Sequence, residues 1–167
     1  MEQVYVGLGS NLADPRAQVE RALGALAGLP QTRLVQRSRL YRSAPWGRAD
    51  QPEFVNAVVA LQTELTPREM LEALLKIERA AGRARDATRW GPRVLDLDIL
   101  VFGDRLIDEP GLHVPHPHLH ERAFVVLPLA EIAADLIVPG LGRMKELTRG
   151  IDAATCQPLE IASIPHQ

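Results

Sequence analysis

The stretch from Arg89 to Leu100, RWGPRVLDLDIL, places two aspartates one residue apart inside a run that otherwise reads as a buried strand. Aspartate is among the poorest strand formers, so its presence there needs a reason. Side chains alternate along a strand, so Leu95, Leu97 and Ile99 share one face while Asp96 and Asp98 share the other. The leucine face is a core face. Carboxylates two positions apart on one strand sit roughly 6.5 to 7 Å apart at Cα, and each raises the pKa of the other unless something positive intervenes. Oxygen ligands at this spacing suit a hard ion such as Mg²⁺, which uses one or two carboxylates and completes its shell with water and substrate phosphate. The alternative is the solvated outer face of an amphipathic strand.

Working outward, the strand from Val94 to Phe102 closes a recognisable order of elements. Val4 to Leu8 reads as a first strand, and Gly9-Ser10-Asn11 as a strand-to-helix turn. Asp14 then suits an N-cap with Pro15 at the first helical position, and Val19, Ala22, Leu23 and Leu26 recur at helical spacing. Thr32 to Tyr41 and Phe54 to Thr63 read as two further strands, joined by a connection too long for a tight hairpin. Thr66-Pro67-Arg68-Glu69 is a capping box that opens a second helix, with Met70, Leu71, Leu74, Ile77 and Ala81 on its apolar face. Beyond the acidic strand, Gly103-Asp104 suits a two-residue hairpin turn into Leu106-Ile107. Ala123 to Ala134 is apolar and partly helical, with Pro128 near a helix start, and the tail carries no signal. The order strand, helix, strand, strand, helix, strand predicts an α+β, ferredoxin-like plan with an antiparallel-rich sheet, an added hairpin strand and C-terminal helices.

The chain has 167 residues, 46% hydrophobic and 24% charged, with a formal net charge of -2. That fits one globular domain over residues 1–167 and gives no general attraction for polyanions. Cys156 is the only cysteine, which excludes an intramolecular disulfide. The opening MEQVYVGLGSN lacks a basic n-region, and no stretch approaches 18 apolar residues, so a cytoplasmic monomer without membrane or nucleic-acid partners is expected.

Charge is concentrated where the aspartates begin. From Arg79 to Arg93 there are five arginines against one acid, Asp86. Four of them flank a loop, more cations than two carboxylates need. The excess fits a phosphate chain held by guanidinium forks and by a metal on the acids. At an effective dielectric near 20, opposite charges about 4 Å apart gain on the order of 4 kcal/mol, enough for several arginines to offset repulsion within a triphosphate. A P-loop is absent, and Gly7-Leu8-Gly9 lacks the third glycine of a dinucleotide fingerprint, Leu12 standing in its place. His116, His118 and His120, at alternating spacing in a segment that also holds His113, could supply metal ligands, but Pro115 and Pro117 break any regular strand there. A single histidine between prolines, His116, donating to phosphate is the simpler reading.

Gly9-Ser10-Asn11, the stretch YRSAPWGRADQPEFVN from Tyr41 to Asn56, the run GRARDATRWGPRVLDLDIL from Gly82 to Leu100, and VPHP followed by ERAFVVLPLAEIA resemble the 6-hydroxymethyl-7,8-dihydropterin pyrophosphokinase family. The likeness runs from about Val4 to Pro139, and RWGPR-x-LDLDI is its most specific motif. It implies ATP as co-substrate, two Mg²⁺ ions, and transfer of a whole pyrophosphoryl group to a pterin hydroxymethyl oxygen with release of AMP. By the same resemblance Asp96 and Asp98 would hold the metals, and Arg83 and Arg93 would act on the transferring group. Glu78, Arg85, Arg89, Trp90, Ile99, His116 and Arg122 would contact the nucleotide. Ser43, Pro45, Trp46, Asn56 and Asp96 would contact the pterin, with Phe54 and Phe124 sandwiching its ring. Gly111, Leu75 and Pro117 depart from the family pattern on the nucleotide side. Two readings from other classes are a non-enzymatic nucleic-acid module, disfavoured by only seven aromatics, and a Mg²⁺-dependent phosphohydrolase using the same Asp-x-Asp.

Overall fold

Strand β1 (Glu2–Ser10) extends two residues beyond the expected Val4–Leu8 at each end in the computed structural model, which describes residues 1–12, 14–43, 53–82 and 94–159. Val4, Val6 and Leu8 pack into one core cluster and Tyr5 into another, so the strand is sandwiched between two apolar layers. Gly9 and Ser10 are therefore strand residues, and the turn toward the first helix starts later than expected. Helix α1 (Pro15–Ala27) begins as its sequence predicts, with the Ala17 N–H donating to the Asp14 carboxylate at 3.4 Å.

The single strand expected over Thr32 to Tyr41 is two strands, β2 (Thr32–Arg37) and β3 (Tyr41–Ser43), both antiparallel to β4 (Phe54–Thr63). The break is made by Ser38. Its N–H donates to the Val58 carbonyl at 2.8 Å while its hydroxyl accepts from the Val58 N–H at 3.0 Å, so a buried side chain replaces a rung of the ladder. Helix α2 (Pro67–Ala80) carries both arms of its capping box. The Glu69 N–H donates to Thr66 Oγ1 at 3.1 Å, and the Thr66 N–H to Glu69 Oε1 at 2.9 Å.

Strand β5 (Asp96–Phe102) starts two residues after the expected Val94 and pairs antiparallel with β1. A register shift against Tyr5 and Val6 skips Leu100. That bulge turns both Leu100 and Val101 toward the second core cluster. The expected hairpin after Gly103-Asp104 is corrected: Phe102 to Arg105 is a turn closed by the Arg105 N–H on the Phe102 carbonyl at 3.0 Å, but β6 (Ile107–Glu109) pairs forward with β7 (Leu112–Val114). Pro128 lies inside helix α3 (Ala123–Ile132) rather than at its start. Lacking an N–H, it leaves the Phe124 carbonyl without its helical donor, a cost the buried packing of Val125, Val126 and Leu129 offsets.

A short hairpin, β8 (Ile137–Val138) and β9 (Gly142–Arg143), leads to α4 (Met144–Leu147). The tail is not without structure. Strand β10 (Cys156–Pro158) pairs with β3 and completes the sheet order β10-β3-β4-β1-β5, with β2 also on β4. Every pairing is antiparallel. Apolar residues of α1 and α2 fill one face of this ferredoxin-like sheet, and those of α3 fill the other. Among the described residues no helix is long and apolar enough to cross a membrane.

Candidate active site

Strand register draws a straight row across the sheet face that α3 partly covers. Tyr41 stands opposite Asn56, Asn56 opposite Gly9, and Gly9 opposite Asp96. One step along, Val58 faces Gly7 and Gly7 faces Asp98; one step the other way, Ser43 faces Phe54. Directly opposed residues share a face. An acid pair on β5 and an amide on β4 thus flank a middle strand that has no side chains at these two positions.

The glycines matter because of what lies over them. A Cβ on Gly9 would stand 2.9 Å from Asn56 Nδ2, so the amide is laid over bare backbone. A Cβ on Gly7 would meet Leu100 Cδ2 at 3.4 Å, ordinary contact that needs little adjustment. Asn56 is itself buried, and its Oδ1 accepts from the Ser43 hydroxyl at 2.7 Å. That bond commits the oxygen and leaves the two Nδ2 protons as the donors over Gly9. Sequence reasoning missed Gly7 and Gly9 as site residues. Two glycines at period two within a strand were the available signal, since they mark close approach of another group to the backbone.

Asp96 is half-buried and Asp98 exposed, both on the side away from Leu95, Leu97 and Ile99, which lie in the α1–α2 core as their alternation predicts. Ile99 is 6% exposed and its side chain is committed to that core. Glu78 on α2 is also buried, and its Oε2 accepts from the Leu97 N–H at 2.7 Å. Among the described residues no three His, Cys, Asp or Glu side chains gather as a metal cage. Two carboxylates beside a bare strand fit instead a hard cation whose other ligands come from water and phosphate.

His116 follows β7 and is anchored by its own backbone, whose N–H donates to the Leu100 carbonyl at 2.9 Å. Its Nδ1 accepts from the His118 N–H at 3.1 Å. Burial, reinforced by Arg122, His118 and His113, pushes its pKa down to about 4. The ring is therefore neutral near pH 7 with its proton on Nε2, a donor by construction. His113 and His118 are exposed and lie against Asp108 and Glu121 at 2.7 and 3.1 Å. The Arg122 guanidinium carbon lies 5.5 Å from the ring centre of Phe124, a partly buried side chain packed on the α3-side core. Pro45, Trp46, Arg83, Arg85, Arg89, Trp90 and Arg93 lie outside the described residues.

A cavity of about 330 Å³ opens at the opposite edge of the sheet, where Arg16, Arg37 and Arg39 meet Glu20 and Glu131. Arg37 pairs with Glu20 at 3.1 Å and Arg39 with Glu131 at 3.5 Å. This is a cleft between ion pairs, remote from the acid pair on β5.

Fold and site define a class: antiparallel α+β enzymes with an acid pair on one strand and a buried amide two strands away on the same face. The family model described as 7,8-dihydro-6-hydroxymethylpterin-pyrophosphokinase matches residues 5–134. The chain belongs to that pyrophosphokinase family. A 2-amino-4-hydroxy-6-hydroxymethyldihydropteridine pyrophosphokinase from Pseudomonas aeruginosa is 56% identical over 147 residues, covering 88% of this chain and 90% of that relative. The enzyme of the same name from Methylorubrum extorquens is 49% identical, covering 84% and 88%. A solved structure of wild-type Plasmodium falciparum HPPK-DHPS with SDX-DHP aligns at a TM-score of 0.67 and 13% identity, over 90% of this chain and 43% of that one. The same protein with pterin and p-hydroxybenzoate aligns at 0.68 and 14%, over 89% and 42%. These two share the fold, and this chain spans less than half of their length.

Proposed function

We propose that this chain transfers the pyrophosphoryl group of ATP to the hydroxymethyl oxygen of 6-hydroxymethyl-7,8-dihydropterin, releasing AMP, as a step of folate biosynthesis. One observation carries the assignment of roles: the acid pair and the Ser43-held amide of Asn56 flank the same bare strand. Two inter-strand steps separate them, about 10 Å. A flat heterocycle lying over Gly9 with its amide edge at Asn56 would thus bring a substituent on its far end to Asp96.

The protein's own groups then divide the work. Asn56 donates from Nδ2 to the pterin amide edge while Ser43 prevents the amide from turning. Ser43, Pro45 and Trp46 line that edge, and Phe54 and Phe124 cover the two faces of the ring. His116 donates Nε2–H to a nucleotide phosphate without bringing a titrating charge, and Arg122 supplies a permanent one. Arg85, Arg89, Trp90 and Ile99 extend the nucleotide site. Arg83 and Arg93 stabilise charge on the transferring group.

Asp96 and Asp98 would hold the Mg²⁺ ions, two in this reading, which when bound would supply positive charge to neutralise the phosphate chain. The hydroxymethyl oxygen forms its bond to the β-phosphorus as that phosphorus loses its bond to the bridging oxygen, which leaves with AMP. The hydroxyl proton is lost to solvent in the same step, and AMP carries the electron pair of the broken bond. Exclusion of water by the aromatic cover favours the pterin over hydrolysis. In this reading the chain acts in the cytoplasm as a monomer on two small-molecule substrates.

The test is product identity. Incubation with ATP, Mg²⁺ and the reduced pterin alcohol should give AMP and the pterin diphosphate, with neither formed when the pterin is withheld. ADP as the nucleotide product, or free phosphate from ATP alone, would reject the proposal.

A further inference from the structure

Strand β5 is held along its outer side by two contacts that come from no strand. The sheet order gives it one strand neighbour, β1. On its other side the Leu97 N–H donates to Glu78 Oε2 at 2.7 Å, and the Leu100 carbonyl accepts from the His116 N–H at 2.9 Å. Leu97 lies between the two aspartates, and Leu100 lies two residues beyond Asp98. An edge strand with open backbone groups is free to shift or twist. Here one buried carboxylate and one backbone N–H close those groups on either side of Asp98.

We infer that Glu78 is a positioning residue for the acid pair: it fixes the β5 backbone at Leu97 and thereby sets the separation and direction of Asp96 and Asp98. Its burial fits that task, since at 3% exposed it is packed beneath the strand it holds. Helix α2 makes the placement rigid, because its capping box fixes one end while Met70 and Leu74 bury its apolar face in the same core as Leu95 and Leu97. The bond needs an acceptor at this point and not a negative charge. A carboxamide would serve equally, and a methyl group would leave a buried N–H with no partner. The effect on a bound ion is that of an outer support, for which losses of about 10- to 100-fold in metal affinity are usual.

The inference rests on the reading of Asp96 and Asp98 as the cation site, and the experiment separates the two. Binding of Mn²⁺, as a probe for Mg²⁺, would be followed by the electron paramagnetic resonance of the free ion, with the whole chain and a nonhydrolysable ATP analogue. Glu78→Ala should raise the Mn²⁺ dissociation constant about tenfold, while Glu78→Gln stays within about twofold of the parent. Binding of the analogue without metal should be equal in all three proteins. If Glu78→Ala does not fold, the Gln variant decides, because a tenfold loss there would show that charge and not anchoring is required. Unchanged Mn²⁺ binding in folded Glu78→Ala would overturn the inference, as would an equal loss of analogue binding with and without metal, which marks a direct nucleoside contact. Asp98→Ala is the separate control: if it leaves Mn²⁺ binding intact, the cation-site reading itself fails.

Discussion

Ser43 on β3 donates its hydroxyl to the amide oxygen of Asn56 on β4 at 2.7 Å, and both residues are buried. The bond turns a side chain able to present either end into one that presents only N–H groups over Gly9. Ser43→Ala removes that constraint and leaves a buried amide oxygen short of a donor. The KM for pterin should rise severalfold with the KM for ATP unchanged, and stability should fall by about 1 to 3 kcal/mol. Steady-state kinetics and urea unfolding measure both, and equal effects on the two substrates would contradict the assignment.

Gly9→Ala and Gly7→Ala should part company. The first drives a methyl to 2.9 Å from Asn56 Nδ2 and the second only to 3.4 Å from a Leu100 methyl. Displacing the amide should weaken pterin binding and cost about 1 to 3 kcal/mol, whereas the Gly7 variant should keep pterin affinity. Calorimetric titration with the pterin alcohol checks the contrast.

Asp98→Ala should lower Mg²⁺-dependent transfer by roughly a hundredfold or more while barely changing the unfolding midpoint. Asp98 is exposed, so it adds little to packing. Normal turnover in this variant, measured as AMP formed per enzyme, would remove Asp98 from the metal site.

His116 provides a pH test. Its pKa is lowered to about 4, first by burial and then by Arg122, His118 and His113. An unfolded histidine titrates near 6.5, so between those values the unfolded chain binds more protons than the folded one. The neutral ring's contribution is fully present above pH 6.5 and is lost as pH falls toward 4. Proton NMR of the ring should show a midpoint near 4, and His116→Asn should flatten the fall in stability across that window. A midpoint near 6.5 would mean that the ring is solvated.

Much of this molecule is legible in its residues, for definite reasons. The capping box at Thr66, the Asp14 cap and the Leu95-Leu97-Ile99 stripe are local patterns, and each appears where expected. Ser38, Pro128 and the Gly103 turn misled because tertiary partners decided them. A hydroxyl standing in for a ladder rung has no local signature, nor has a proline tolerated inside α3 because its surroundings are buried. The acid pair could be read from spacing alone, since alternation makes neighbours of Asp96 and Asp98. The row from Tyr41 through Asn56 and Gly9 to Asp96 could not, because three separate pairings set its register.

The pairing of β10 with β3 bears on how the molecule is made as well as how it works. Ser43, which orients the Asn56 amide, sits opposite Cys156, a residue far along the sequence from it. During synthesis the strands that carry the acids and the amide emerge well before the segment that flanks Ser43 on its outer side. Such distant pairing is slow to form, so the outer flank of the Ser43–Asn56 pair should be among the last parts of the sheet to order.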